Sequence, residues 1–306
     1  MSEICCTLLA DRGLLSVAGD DRRTFLQGLL TNDVTAATAD HVIWAALLTP
    51  QGKYLHDVFL FEMGETLYLE AEQARLADLK TRLSRYKLRA KVRLAEVEGW
   101  SVAVAFGPGV AARLGLPETV AGAAAPLPDG AGVAFTDPRL PQAPVRLILP
   151  TDQAGERLVE LFDVAADPTG CDAERIRLGL PDGSRDLEVE KALILESGFD
   201  ELGGVAFKKG CYIGQELTAR MKYRALAKKR LLPITLADGA TPVPGTPLLT
   251  ADGKEAGEVR SAAAGVALAL VRLEHLSAPL TAGGTAATPV VPPWVRLPQP
   301  KEAAGA

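Results

Sequence analysis

The sequence contains few cysteines and histidines and no long hydrophobic run. Its 306 residues include four cysteines and three histidines. No stretch approaches the roughly 18 consecutive apolar residues that a membrane-spanning helix needs. So few cysteines exclude a disulfide-rich scaffold and favour a reducing compartment. The first residues show no basic segment followed by an apolar stretch, which argues against a secretory signal. We therefore expect a cytoplasmic protein that does not cross a membrane.

Several common catalytic and metal-binding motifs are also missing. The sequence has no P-loop, no dinucleotide fingerprint, no nucleophile elbow and no zinc-protease helix motif. The histidines are scattered, and the cysteines show no Cys-x-x-Cys spacing. A zinc or iron–sulfur site built by this chain alone is therefore not expected, and no metal ligands are predicted.

The net charge of −5 conceals two basic segments. Residues 75–93 and residues 208–230 each contain eight Lys or Arg and one acid, a net charge of +7 in each case, which leaves −19 for the rest of the chain. Local positive charge on an acidic body suggests an anionic ligand or partner. A solvated surface face is the alternative interpretation for both segments.

Hydrophobic periodicity predicts an antiparallel α+β unit in the first hundred residues, in the order β-α-β-β-β-α-β. The predicted strands cover 14–18, 42–48, 54–61, 66–70 and 88–94, and the helices centre on 25–30 and 76–86. In the last strand apolar residues alternate with Arg89, Lys91 and Arg93, which predicts one basic face.

The rest of the chain divides by composition. Strands are expected at 102–106 and 145–149, a loop-rich connector at 107–144, and helices at 151–162 and 173–178. Short strands separated by turn residues from 231 onward predict a small β-barrel. The expected divisions are an N-terminal α+β part (1–100), a central α+β subdomain (101–170), a segment returning to the core (171–229), the barrel (230–298) and a tail (299–306).

One segment in the least periodic region combines glycines, basic residues and a cysteine. It reads Lys208-Lys209-Gly210-Cys211-Tyr212-Ile213-Gly214-Gln215-Glu216, and a helix-forming stretch begins at Gln215. A cysteine just before a helix start and beside two lysines lies in a positive potential that favours the reactive thiolate. A buried structural cysteine at a glycine turn is the alternative.

This segment, together with Thr218-Ala219-Arg220, closely resembles the signature of YgfZ-type folate-binding proteins, which are relatives of the glycine-cleavage T-protein (GcvT), an aminomethyltransferase. Further similar stretches are Phe25-Leu26-Gln27-Gly28, residues 48–53, Asp137-Pro138-Arg139, residues 175–179 and residues 195–198. The resemblance implies an α+β, GcvT/YgfZ-like folate-binding core of antiparallel sheets with flanking helices, followed by a small C-terminal β-barrel. It also implies a role in making or maintaining [4Fe-4S] proteins.

The resemblance further implies a ligand and its contacts. Tetrahydrofolate, or a derivative, would occupy a central cavity, and Glu196 aligns with the T-protein glutamate that recognises the pterin. A carboxylate suits the paired N–H donors of an aminopyrimidine edge. Cys211 is the expected reactive residue. The other expected folate contacts are Lys209, Tyr212, Gln215, Glu216 and Arg220.

Three functions remain open at this point. The first is a tetrahydrofolate-binding factor for the assembly or repair of [4Fe-4S] proteins, with client or scaffold proteins as partners. The second is a folate-dependent aminomethyl or one-carbon transferase. It is disfavoured because residues 94–106 lack the T-protein Asn-Ala strand with its aspartate, whereas Cys211, which T-proteins lack, is present. The third is a tRNA- or protein-interaction module that uses the basic segments, although nucleic acid is not expected as a direct ligand. We expect a monomer, because no heptad repeat is visible.

Overall fold

A computed structural model describes residues 4–127, 130–224 and 226–297. The predicted tail, 299–306, lies outside the described residues. The strands are β1 Cys5–Leu8, β2 Arg12–Ala18, β3 Ile43–Leu48, β4 Tyr54–Met63, β5 Thr66–Glu72, β6 Arg93–Val97, β7 Trp100–Phe106, β8 Ala124–Pro126, β9 Val133–Thr136, β10 Val145–Pro150, β11 Lys229–Leu236, β12 Pro247–Thr250, β13 Glu255–Ala263, β14 Val266–Arg272, β15 Leu280–Ala282 and β16 Thr285–Pro289. The helices are α1 Arg22–Gln27, α2 Leu76–Lys87, α3 Val110–Arg113, α4 Ala154–Phe162, α5 Pro168–Arg177, α6 Gly183–Asp186 and α7 Gln215–Arg224.

The first sheet is antiparallel and has the strand order β3-β4-β5-β2-β6. Successive side chains of a strand point to opposite faces, so each face of β4 carries its own set of apolar residues. Phe59 and Phe61 face the middle of the molecule, whereas Val58 and Leu60 pack with the helices α1 and α2. Burial on both faces explains why β3 reads as a continuous apolar run.

The second sheet is also antiparallel, with the order β1-β7-β10-β9-β8. Its outer face packs with α4 through Leu158 and Phe162. Its inner face contributes Phe135 and Ile148 to the core that it shares with the first sheet. In that core Trp44 stacks on Phe199 with ring centroids 3.8 Å apart.

The C-terminal strands form a closed barrel in the order β11-β14-β13-β12-β15-β16. Its interior is filled by small and branched apolar side chains such as Ile234, Leu248 and Val259. Closing the sheet removes the exposed strand edges that would otherwise pair with another chain. The predicted α+β class, with antiparallel sheets and a C-terminal β-barrel, is confirmed.

One local prediction is wrong, and a second is incomplete. The strand expected at 88–94 begins only at Arg93, because the chain reverses after α2: Leu88 adopts a φ of +40° and is 91% exposed, and the Ala90 N–H bonds back to the Lys87 carbonyl. The connector expected at 107–144 contains α3, β8 and β9. Its short strands pair with one another and with β10, a long-range contact that periodicity does not reveal. Within the described ranges, no helix has the length and apolarity to span a membrane.

Candidate functional site: a cysteine loop beside a buried charge cluster

The loop that carries Cys211 leads directly into α7, as the sequence predicts. Of the four cysteines, all within the described ranges, Cys211 alone is exposed. Glu216 and Arg220, on the first turns of α7, are exposed as well. The alternative of a buried structural cysteine at this turn is therefore wrong.

Lys209 anchors the loop on one side. Its Nζ donates hydrogen bonds to the carbonyl oxygens of Gln27 (2.7 Å), the last residue of α1, and of Leu30 (2.6 Å), which follows the helix. A cation there satisfies carbonyls that the helix leaves without partners. Burial lowers the pKa of Lys209 to about 8, and the nearby Asp33 carboxylate acts in the opposite direction. These bonds account for Lys209 without a ligand, and its role in folate binding stays a prediction.

Gly214 anchors the loop on the other side, against the turn between β3 and β4. Its φ is +81°, and a Cβ at this position would lie 2.5 Å from the Thr49 carbonyl oxygen and 3.0 Å from Gly52 Cα. Gly52, with φ +77°, would meet the Gly214 carbonyl oxygen at 2.8 Å in the same way. Only glycine combines this backbone conformation with so close an approach.

The start of α7 is held by Tyr212 and Gln215. The Tyr212 N–H donates to Gln215 Oε1 at 3.2 Å, which fixes the turn that precedes the helix. The Tyr212 ring is buried, and Lys209 Nζ lies 5.4 Å from its centroid. Burial raises the pKa of Tyr212 to about 12, against a smaller opposing effect of a hydrogen bond with Thr218. Both residues thus support the loop, and their predicted contact with folate is untested.

Glu196 lies in a short 3-10 helix, Ile194–Ser197, and is half-buried. Burial raises the pKa of its carboxyl group, while the charges of Lys229 and Lys53 and the backbone N–H groups of Lys228 and Lys229 act in the opposite direction. Lys53 directly follows Gly52 in the turn that packs against Gly214. The β3–β4 turn therefore lies beside both Glu196 and the cysteine loop.

A cluster of buried charges lies between the two sheets, and sequence reasoning missed most of it. Glu70, which is fully buried, accepts hydrogen bonds from Arg12 Nε at 2.8 Å and from Arg146 Nη1 at 2.8 Å. Asp137 accepts from Arg139 Nη2 at 2.6 Å and from Arg146 Nε at 3.3 Å. The sequence signal for this cluster was the presence of charged residues in otherwise apolar strands. Fully buried charged residues are rare unless they are paired, so such residues indicate buried ion pairs.

A cavity of about 270 Å³ adjoins this cluster. Its polar wall includes Arg139, Arg146, Arg175, Arg185, Asp172 and Asp182. Arg185 bonds both aspartates, at 2.8 Å to Asp172 and at 3.0 Å to Asp182. The pKa of Asp182 lies far below its ordinary value because Arg175 and Arg12 outweigh its burial. None of the residues predicted to contact folate lines this cavity.

The chain is similar over most of its length to proteins from human and mouse. It is 35% identical to the iron-sulfur cluster assembly factor IBA57, mitochondrial, of Homo sapiens, over 90% of this chain and 79% of that protein. It is 34% identical to the Mus musculus protein of the same name, over 94% of this chain and 85% of that protein. This chain belongs to the IBA57 family.

Two further comparisons agree with the fold of this IBA57 family member. Residues 228–297 match the model of the CAF17 C-terminal beta-barrel domain. The whole chain resembles the glycine cleavage system aminomethyltransferase T from Bartonella henselae, with a TM-score of 0.78 at 17% identity, over 96% of this chain and 87% of that one. The predicted GcvT-like fold is thereby confirmed.

The predicted cytoplasmic location is wrong. The IBA57 relatives from human, mouse and Neurospora crassa are named as mitochondrial proteins. The prediction depended on the small number of cysteines, and a lack of disulfides does not distinguish the cytoplasm from another reducing compartment.

Proposed function

We propose that this chain is an iron–sulfur cluster assembly factor in which Cys211 supplies one thiolate to a cluster, or a cluster precursor, held jointly with a partner protein. The observation that carries the proposal is an exposed cysteine on a loop fixed from both sides. The names of its IBA57 relatives support the role in cluster assembly.

The number of protein ligands that an iron–sulfur cluster needs requires a partner protein. Iron–sulfur clusters are held by four protein ligands, usually thiolates. Among the described residues, no group of three or more His, Cys, Asp or Glu side chains could hold a metal. Since one thiolate cannot retain a cluster, the remaining ligands must come from an iron–sulfur client or scaffold protein, the class of partner predicted from sequence.

The surroundings of Cys211 suit a transient contact with such a partner. Lys208, on the same loop, and Arg220, on the helix that follows it, are both exposed, so this part of the surface presents positive charge to a partner. An exposed sulfur is accessible to iron, which cysteine binds as the thiolate. A loop held by Gly214 and Lys209 presents that sulfur in one position, which lowers the entropy lost when the partner binds.

The proposal is tested in cells that depend on this chain for [4Fe-4S] enzymes. Cys211→Ser should abolish the activity of those enzymes at a protein level equal to wild type. Cys5→Ser is the matched control, since it removes a half-buried thiol on another element and should leave the activity intact. Full enzyme activity with Cys211→Ser would refute the role of this cysteine.

We also propose tetrahydrofolate as a ligand of the arginine-lined cavity. The GcvT-like fold supports this proposal, as does the chemistry of the wall: Asp172 and Asp182 can accept N–H donors of a pterin, and Arg185 can pair with a carboxylate. At about 270 Å³ the cavity holds one end of the ligand, because sites for drug-sized molecules span about 300–1,000 Å³. The remainder of the folate would lie outside it.

Calorimetry with tetrahydrofolate distinguishes binding in this cavity from binding at Glu196, the residue expected from the sequence. Arg185→Ala should weaken binding about tenfold or more, because a charge-assisted hydrogen bond contributes about 1.5–3 kcal/mol. Arg177→Ala is the control, an exposed arginine paired with Glu174 that does not line the cavity. A loss confined to Glu196→Ala would place the pterin at Glu196, and no binding by the wild type would remove folate as a ligand.

A further inference from the structure

Two cysteines meet where the edge strand β1 passes under α5. Cys5 pairs with Phe106 of β7 in the second sheet, and Cys6 pairs with Ala105. Because neighbouring side chains of a strand point to opposite faces, Cys5 and Cys6 belong to different cores. Cys6 lies in the core beneath α4, whereas Cys5 packs with Phe106 and Cys171 on the side of α5.

The start of α5 is fixed against β1, and this places Cys171 over Cys5. The Asp167 N–H donates to the Cys6 carbonyl oxygen at 2.8 Å, and the Asp167 carboxylate accepts from the Gly170 N–H at 2.8 Å as the helix cap. Cys171 follows in the first turn and is 3% exposed. Its side chain lies in a small apolar cluster with Phe106, and Cys5 packs against that cluster.

The two thiols differ in acidity. The hydrogen bond from Cys171 lowers the pKa of Cys5 below its ordinary value, although burial and the carboxylates of Glu174 and Asp167 act in the opposite direction. The same hydrogen bond, together with burial, raises the pKa of Cys171. Cys5 is also the more exposed of the two sulfurs, which favours it as the one that ionises first.

A small oxidant can reach both sulfurs. Cys5 is only partly buried, and Cys171 lines the arginine-walled cavity of about 270 Å³. An accessible thiolate next to a second cysteine is the arrangement that oxidant-sensitive dithiols share.

We propose that Cys5 and Cys171 form a redox-reactive dithiol that reacts with hydroperoxides and closes to a disulfide between β1 and α5. In the first step the Cys5 thiolate attacks the hydroperoxide, an S–O bond forms, the O–O bond breaks, and the leaving oxygen departs as water or an alcohol after taking up a proton. In the second step the Cys171 sulfur attacks Cys5 Sγ. The S–S bond forms, the S–O bond breaks, and the hydroxide leaves as water with the proton of Cys171.

The test is peptide mapping of the folded full-length chain after treatment with hydrogen peroxide. Remaining thiols are alkylated in denaturant, and the digest is analysed without reduction. The expected product is a peptide pair linked through Cys5 and Cys171, with Cys6 alkylated, and addition of a dithiol reductant should release it. Prior unfolding of the chain should lower the yield at least tenfold, since the link depends on the fold.

Matched variants identify the attacking sulfur. Cys6→Ser should keep the linked peptide, whereas Cys5→Ser should lose it at least tenfold. Cys171→Ser should leave Cys5 as a sulfenic acid that dimedone captures. If Cys171→Ser does not fold, the other two variants and the wild type still decide. Absence of the link in oxidised wild type, or an equal link from Cys6 to Cys171, would overturn the proposal.

Discussion

The cysteine loop and the buried charge cluster use polar residues in opposite ways. Around Cys211 the supporting contacts are internal, and the reactive side chain is left exposed. Around Glu70 every charge faces a partner of opposite sign, and almost nothing is exposed. The first arrangement presents a group to another molecule, whereas the second joins two sheets.

The comparison predicts which changes affect stability and which affect function. Truncating a buried ion-pair partner leaves an uncompensated charge, which is strongly destabilising. Removing an exposed thiol leaves no such defect.

Glu70→Gln should destabilise the chain by about 3–5 kcal/mol, because Arg12 and Arg146 each lose one of their charged partners in a buried site. Denaturant unfolding measures the effect. Glu190→Gln is the control, since it removes only an exposed ion pair with Arg82 and should cost about 1 kcal/mol or less. Equal effects of the two changes would contradict the account of the cluster.

His56 should make the free energy of unfolding fall at acidic pH. Burial lowers its pKa from 6.5 to about 4, helped by the charge of Arg75 and opposed by Asp78, with which it is hydrogen-bonded. Between these values the unfolded chain binds a proton that the folded chain does not, so stability is lost as the pH falls from 6.5 to 4. The loss is on the order of 3 kcal/mol.

Unfolding curves at several pH values across that window check this prediction. His56→Gln should flatten the pH dependence by that amount. An unchanged slope in His56→Gln would show that other groups cause the acid sensitivity.

Gly214→Ala should destabilise by about 1–3 kcal/mol, because a positive φ is costly for alanine and its Cβ would collide with the Thr49 carbonyl. Gly210→Ala is a close control: its φ is +95°, yet no atom lies within 4 Å of the added Cβ. The difference between the two unfolding free energies isolates the contact with the β3–β4 turn. Identical values would mean that this contact does not hold the loop.

Cys211→Ser should change the unfolding free energy by no more than about 0.5 kcal/mol, as is usual for an exposed position. Thermal or denaturant unfolding checks it. A loss of more than about 1 kcal/mol would assign the cysteine a structural role.

Local features of the fold were predictable from the sequence, and long-range contacts were not. Periodicity identified β2 to β5, and the glycines and Gln215 marked the start of α7, because those signals lie within a few residues. The two carbonyls that bind Lys209 come from residues about 180 positions earlier, and the Glu70–Arg146 pair joins different sheets. β1 was missed because Cys5–Leu8 is too short to show a periodic pattern, although this strand carries Cys5 of the Cys5–Cys171 pair.

The central claim is that Cys211 supplies an iron ligand without supporting the fold. The most direct measurement is the thiolate-to-iron charge-transfer absorption after anaerobic addition of ferric iron and sulfide in excess glutathione, which reduces part of the iron and whose thiolates stand in for the partner's ligands. Wild type and Cys5→Ser should show protein-bound absorption, and folded Cys211→Ser should show none. Equal protein-bound absorption in Cys211→Ser would contradict the claim.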